Sequence, residues 1–139
     1  MSYLLDTNVV SELRQKEPHP HVVQWFDVVE STDLYISVLV VGEIRKGIER
    51  LRRRGDNKQA STLDRWLGGL KDEFGSRLVD VSVAICERWG TLSAAQPLTV
   101  IDGLLAATAI EHDLTLVTRA HGGLAATGAT LLDPWAAYN

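Results

Sequence analysis

Five short runs of aliphatic and β-branched residues are separated by longer segments whose apolar positions recur at helical spacing, and this alternation confines the chain to the α/β folds. The runs are Tyr3 to Asp6, Leu34 to Ser37, Leu78 to Val81, Thr115 to Thr118 and Thr130 to Leu132. The helical pattern covers about Val38 to Arg54, Lys58 to Phe74, Val83 to Ala95 and Ile101 to His112, with a shorter helix after Pro20. Ser37 and Ser82 are expected N-caps, because a short side-chain oxygen can accept an orphan backbone N–H there. Gly55 and Gly75 read as helix stops. Strands and helices in this order predict a parallel sheet with helices on both faces. Such a sheet binds ligands at the carboxyl ends of its strands, where the strand order reverses, so Asp6 and Thr118 are the first positions to inspect. No repeat, low-complexity tract or linker divides the chain, and its 139 residues, 45% apolar and 23% charged, suit one domain over 1–139.

Several classes of function lose support. The single cysteine, Cys86, cannot form an internal disulfide, which points to a reducing cytoplasm, and its apolar surroundings place it in a core. No run is apolar and long enough to span a bilayer, and the N-terminus lacks the pattern of a signal peptide, so neither membrane insertion nor export is expected. The four histidines, His19, His21, His112 and His121, lack zinc-ligand spacing, and His19-Pro20-His21 reads as an exposed turn. There is no P-loop, no dinucleotide-binding glycine motif and no nucleophile elbow. Trp25, Trp66, Trp89 and Trp135 read as packing anchors in a core or interface.

The most informative residues are carboxylates set among apolar neighbours: Leu4-Leu5-Asp6, Val40-Val41-Gly42-Glu43-Ile44 and Val100-Ile101-Asp102-Gly103-Leu104. An unpaired buried carboxylate costs several kcal/mol, and several together repel one another, so a cation is the natural compensation. Ligands that are all oxygen favour a hard metal, magnesium or manganese. Each acid also has a plainer reading. Asp6 can cap the helix after the first strand, Glu43 can be a solvated edge residue, and Asp102 suits a helix dipole with or without metal. Asp80 and Asp133 come after apolar pairs too, but read as a strand end and a turn.

The net charge of −4 argues against a general nucleic-acid coat, yet Arg45 to Arg54 hold six Lys or Arg against one Glu, a local +5. That stretch can be a solvated helix face. Alternatively, Glu43, Gly47, Arg50 and Arg54 have i, i+4, i+7 and i+11 spacing, which aligns an acid, a gap and two guanidiniums along one stripe where a polyanion could lie.

These residues resemble the PIN-domain ribonucleases, and within them the VapC and FitB-like toxins of toxin–antitoxin pairs. The resemblance runs through Leu4-Leu5-Asp6-Thr7-Asn8-Val9-Val10-Ser11-Glu12-Leu13 and through Ile36-Ser37 to Gly42-Glu43-Ile44-Arg45-Lys46-Gly47-Ile48. It continues with Asp102 and Ala106-Ala107-Thr108-Ala109, then Leu116-Val117-Thr118-Arg119 and Leu132-Asp133-Pro134-Trp135. It implies a three-layer α/β/α domain around five parallel strands, and a magnesium- or manganese-dependent endoribonuclease. Asp6, Glu43 and Asp102 match the family's metal-binding acids, and Thr118 a hydroxyl bordering the site. The resemblance further implies a homodimer and a small VapB-like antitoxin that blocks the pocket. Arg50, Arg54 and Arg119 are the expected contacts to the RNA backbone.

The chain departs from the family at one place. An asparagine and, three residues on, a fourth acid usually come after Thr-Arg, whereas this chain has Ala120 and Gly123, with His121 as an imperfect substitute. Two further readings therefore stand beside the nuclease. One is a degenerate module that binds antitoxin or RNA with little or no cleavage. The other is a phospho-acceptor at Asp6, which expects a second acid where Asn8 stands.

Overall fold

A computed structural model gives the structure of the chain and describes residues 1–119 and 122–136. Expectations resting on Ala120 and His121 lie outside the described residues. The elements in order are β1 (Tyr3–Leu5), α1 (Thr7–Leu13), α2 (Pro20–Val28), β2 (Leu34–Ser37), α3 (Val38–Arg53), α4 (Asn57–Phe74), β3 (Leu78–Val79), α5 (Val83–Ala95), α6 (Val100–Glu111), β4 (Thr115–Val117), α7 (Gly122–Ala125) and β5 (Leu131–Leu132). The strands form one parallel sheet in the order β3-β2-β1-β4-β5.

Alternation along each strand sorts the side chains into two layers of core. Leu5, Leu34, Ile36 and Val117 face α1 to α4 and pack with Val9, Val40, Ile48, Leu67 and Trp25. Leu4 and Leu116 point the other way, against Leu105, Ala106 and Ala109 of α6 and Leu124 of α7. This is the three-layer α/β/α arrangement expected from the sequence. The β runs read from sequence overshoot four of the strands, because residues at their ends leave the ladder for the adjoining turn or helix. Asp6 is the clearest case, since it becomes the N-cap of α1.

Local signals set the helix ends. Ser37 Oγ accepts from the Leu39 N–H, and Ser82 Oγ from the Ile85 N–H. Gly55 and Gly75 adopt φ of +83° and +48°, a region glycine enters without steric cost, and α3 and α4 stop there. The expected turn at His19-Pro20-His21 is instead the start of α2: His19 Nδ1 accepts from the His21 N–H, and Pro20 occupies the first helical position. Cys86 also departs from expectation. It is exposed, because α5 buries only Ile85 fully and turns Cys86 outward. Trp25 is fully buried between Tyr3 and Phe26, while Trp66 and Trp135 pack on the edge of the same core. Trp89 lies against α6 at Gly103, where a Cβ would come within 2.8 Å of its ring. Among the described residues, no helix is long and apolar enough to cross a membrane.

Two of the six basic residues of Arg45 to Arg54 are structural. Arg45 and Arg52 on α3 bond the two carboxylate oxygens of Asp64 on α4, at 2.9 and 2.8 Å, and Arg52 also bonds Glu49. Hydrogen bonds from Arg45, then Arg52, hold the Asp64 carboxyl at about 2, below its ordinary value of 3.8. A depressed acid contributes stability above its unfolded pKa and loses it as pH falls through the folded one. The contribution of Asp64 is therefore expected to disappear between about pH 4 and pH 2. Thermal melting at pH 5 and pH 2.5 checks this: the drop in melting temperature should be smaller in Asp64→Asn than in wild type.

Candidate functional site

Strand order makes β1 and β4 neighbours, although about 110 residues of chain separate them. From β1 the chain moves outward through β2 to β3, then returns to the other side of β1 for β4 and β5. The reversal opens a crevice at the carboxyl ends of β1 and β4. Asp6 stands at the end of β1 and Thr118 at the end of β4. The Asp6 N–H continues the sheet ladder to the Val117 carbonyl at 3.0 Å, which fixes where its side chain begins.

Asp6 is only 9% exposed. Its Oδ1 accepts from the Thr7 N–H and its Oδ2 from the Thr118 hydroxyl, each at 2.7 Å. The helix-capping reading of Asp6 is thus true without accounting for the whole residue, since capping uses one oxygen and Thr118 holds the other. Glu43, half-buried in the second turn of α3, accepts a 2.7 Å hydrogen bond from the Thr7 hydroxyl. Thr7 therefore links the two acids, through its backbone to Asp6 and through its side chain to Glu43.

Asp102 sits in the first turn of α6, where Thr99 caps the helix by accepting the Asp102 N–H at 3.2 Å. The tight turn at His112 and Asp113, with Asp113 at φ 54°, reverses the chain from α6 into β4. Twelve helical residues rise about 18 Å, so the start of α6 reaches back to the carboxyl edge of the sheet. Asp6 and Glu43 are joined at that edge through Thr7, and the run of α6 carries Asp102 toward it. The structure joins Asp6, Thr118, Thr7 and Glu43 in one hydrogen-bonded chain. It does not gather three acids at a point, for among the described residues no group of three His, Cys, Asp or Glu is placed to hold one ion.

The donor chemistry nevertheless suits a hard cation. Each Asp6 oxygen takes one hydrogen bond and keeps lone pairs in hand. Among the described residues, ion pairs lie within α3, between α3 and α4, and between Arg88 and Glu111, and none of these involves Asp6 or Glu43. Magnesium is commonly held by one or two carboxylates with waters and phosphate oxygens completing its shell, so a closed cage of three protein ligands is not required. Asp6 with Glu43 or Asp102 is the set that could hold it.

The basic residues fall in two places. Arg50 and Arg54 end α3 and line an open cavity of about 520 Å³ with Gly47, Arg14 and Arg53. Apart from the adjoining helix itself, none of the described residues lies within 4 Å of where a Gly47 side chain would begin, so the gap in the stripe stays open. Arg119, directly after Thr118, is exposed and holds its guanidinium 4.3 Å from the Trp135 ring centre. Asp133 accepts the Trp135 N–H at 2.9 Å, consistent with the turn read there, and Asp80 is exposed beyond β3. Gly123 lies in α7, where a Cβ would stand 3.2 Å from Leu98 Cδ2. Sequence reasoning missed Thr7 and Trp135 as participants. Thr7 is adjacent to Asp6 in a motif that the sequence makes conspicuous, whereas Trp135, within Leu132-Asp133-Pro134-Trp135, reads from sequence only as a packing anchor.

The sequence pattern of the PIN domain matches residues 3–122. The chain is 30% identical to plasmid stability protein StbB of Pseudomonas syringae pv. tomato, covering 96% of this chain and 99% of that protein. It is 30% identical to toxin FitB of Neisseria gonorrhoeae, over 95% and 97% of the two chains, and 28% identical to VapC ribonuclease Y4jK of Sinorhizobium fredii, over 95% and 96%. The crystal structure of FitAcB from Neisseria gonorrhoeae superposes with a TM-score of 0.85 at 29% identity, covering 96% of this chain and 98% of that one.

Thr118→Val should remove a hydrogen bond to a buried carboxylate and destabilise the fold by about 1.5 to 3 kcal/mol. Urea denaturation measures it, and Thr118→Ser, which keeps the hydroxyl, should recover most of the loss.

Proposed function

This chain belongs to the PIN-domain family, and from that membership we propose that it is a magnesium- or manganese-dependent endoribonuclease, the toxin of a toxin–antitoxin pair. The observation that carries the reading is the buried Asp6 carboxylate, held open-handed between two donors at the crevice of the sheet with no arginine or lysine of the described residues paired to it. The toxin and ribonuclease names of its relatives support it.

When bound, the divalent cation supplies charge neutralisation and Lewis-acid polarisation at a phosphate. The chain supplies position. Thr118 and the Thr7 N–H fix the orientation of Asp6, so that a cation meets a carboxylate already held in place. Thr7 holds Glu43 at the same edge, and Asp102 adds a third negative group from the first turn of α6. Arg50 and Arg54 would hold the backbone of the RNA, giving affinity that falls with salt, and Arg119 would meet the RNA separately, from its place over Trp135. Arg45 and Arg52 are excluded from that role by Asp64.

A small antitoxin fits a separate surface. Val10, Leu13, Phe26, Trp66 and Phe74 line an apolar groove of about 280 Å³ between α1, α2 and α4, which suits the apolar face of a partner helix. The exposed outer side of α5, with Val83 and Cys86, suits a second copy of the chain. A second reading, the degenerate binding module, is favoured by Gly123, which places no carboxylate on α7.

Purified wild-type chain is expected to cleave a mixed RNA pool in magnesium or manganese and to be silent in EDTA. Asp6→Asn and Asp102→Asn should each lower the rate about a hundredfold or more, with circular dichroism unchanged. Cleavage by Asp6→Asn at the wild-type rate overturns the assignment. Gly123→Asp decides between the two readings, because its backbone is in an ordinary conformation and only the flexible end of Leu98 must yield. A silent wild type beside an active Gly123→Asp selects the binding module; an active wild type little changed by the substitution selects the enzyme.

A further inference from the structure

A cavity of about 310 Å³ opens between α1 and the segment after β5, lined among the described residues by Asn8, Ser11, Glu12, Gln15, Arg119 and Trp135. Asn8, Ser11 and Glu12 have i, i+3, i+4 spacing and present one polar stripe on α1, and Gln15 joins them from the turn just beyond the helix. Across from them is a flat wall of different character, the Arg119 guanidinium resting over the Trp135 ring. That wall is fixed at its backbone: the Trp135 N–H donates to Asp133 Oδ1, and the Trp135 carbonyl is bonded by the His21 ring at 2.8 Å. Both sides of the cavity are tied to the acids. Asn8 lies two residues after Asp6, and Arg119 is next to Thr118, which bonds Asp6 directly.

We propose that this cavity is a nucleobase subsite, which seats a base of the RNA next to the phosphate held at the acids and prefers a base carrying an exocyclic amino group. The proposal rests on the nuclease reading for its substrate class. Single-stranded RNA is recognised by stacking bases on aromatic rings and guanidinium planes while polar groups read their edges, and the two walls supply those two elements. Glu12 sets the preference. One of its oxygens accepts the His19 N–H at 3.1 Å, leaving the carboxylate with acceptor capacity to spare. The amino group of adenine, cytosine or guanine can donate to it, whereas a uracil carbonyl in the same place is repelled. A phosphate is disfavoured by the same carboxylate, and an apolar peptide by the polar stripe.

The test is fluorescence anisotropy of labelled hexaribonucleotides of A, C and U with the full chain in calcium, a hard cation for the same oxygen ligands, with each oligonucleotide checked for intactness so that binding is read apart from cleavage. The A and C oligonucleotides should bind about fivefold or more tighter than U. Glu12→Gln, which keeps an acceptor for His19, should narrow that gap, as should Gln15→Ala. Arg119→Ala should weaken all three by about fivefold to a hundredfold. Because Trp135 also packs on the core, the exposed Arg119 and Gln15 carry the test. Equal affinity for the three, or a preference untouched by Glu12→Gln and Gln15→Ala, overturns the proposal and leaves the cavity to a side chain of a protein partner. A chain that shows the preference yet never cuts RNA in magnesium overturns the nuclease reading alone.

Discussion

A carboxylate buried where two non-consecutive strands end is the constraint around which this chain is arranged. Asp6 cannot be solvated in place, and among the described residues no cationic side chain is ion-paired with it, so the chain spends a backbone N–H and a threonine hydroxyl on it. Those two bonds come from opposite directions in sequence. Thr7 is the next residue, while Thr118 arrives only because β4 pairs beside β1. The sheet order and the state of one acid are thus the same fact seen twice. A buried carboxylate supported by neutral donors still has lone pairs to offer a cation brought in from outside.

Positive charge is divided by the same logic. In sequence, Arg45 to Arg54 form one basic block, yet the packing of α4 on α3 uses Asp64 to draw Arg45 and Arg52 into the helix interface. Arg50, Arg53 and Arg54 stay at the open end of α3. Arg119 is set apart from all of these, resting on Trp135 beside the polar stripe of α1. Structural and recognition roles are therefore interleaved along one helix, and the i, i+7 offset decides which residue takes which.

The fold itself was largely legible. Five strands, the long helices, the caps at Ser37 and Ser82 and the stops at Gly55 and Gly75 all depend on local pattern, which the fold leaves in force. What escaped was the short α7, whose four residues carry too little periodicity to stand out, while α1 was foreseen as a short helix capped by Asp6 but without its far end. Cys86 was misplaced for a related reason. Its neighbours Val83 and Ala84 are apolar, but α5 packs chiefly on α6 and leaves that side uncovered, and hydropathy alone does not reveal which face has a neighbour.

By itself, the sequence determined which acids stand among apolar neighbours and roughly where the strands and longer helices start, because capping, glycine stops and alternation act over a few residues. Only the tertiary structure decided that Thr118 reaches Asp6, that Thr7 bridges to Glu43, that Asp64 claims two arginines and that Trp135 underlies Arg119. These contacts join residues up to 112 positions apart. Their partners are chosen by strand order and helix packing, both of which depend on how the whole core closes.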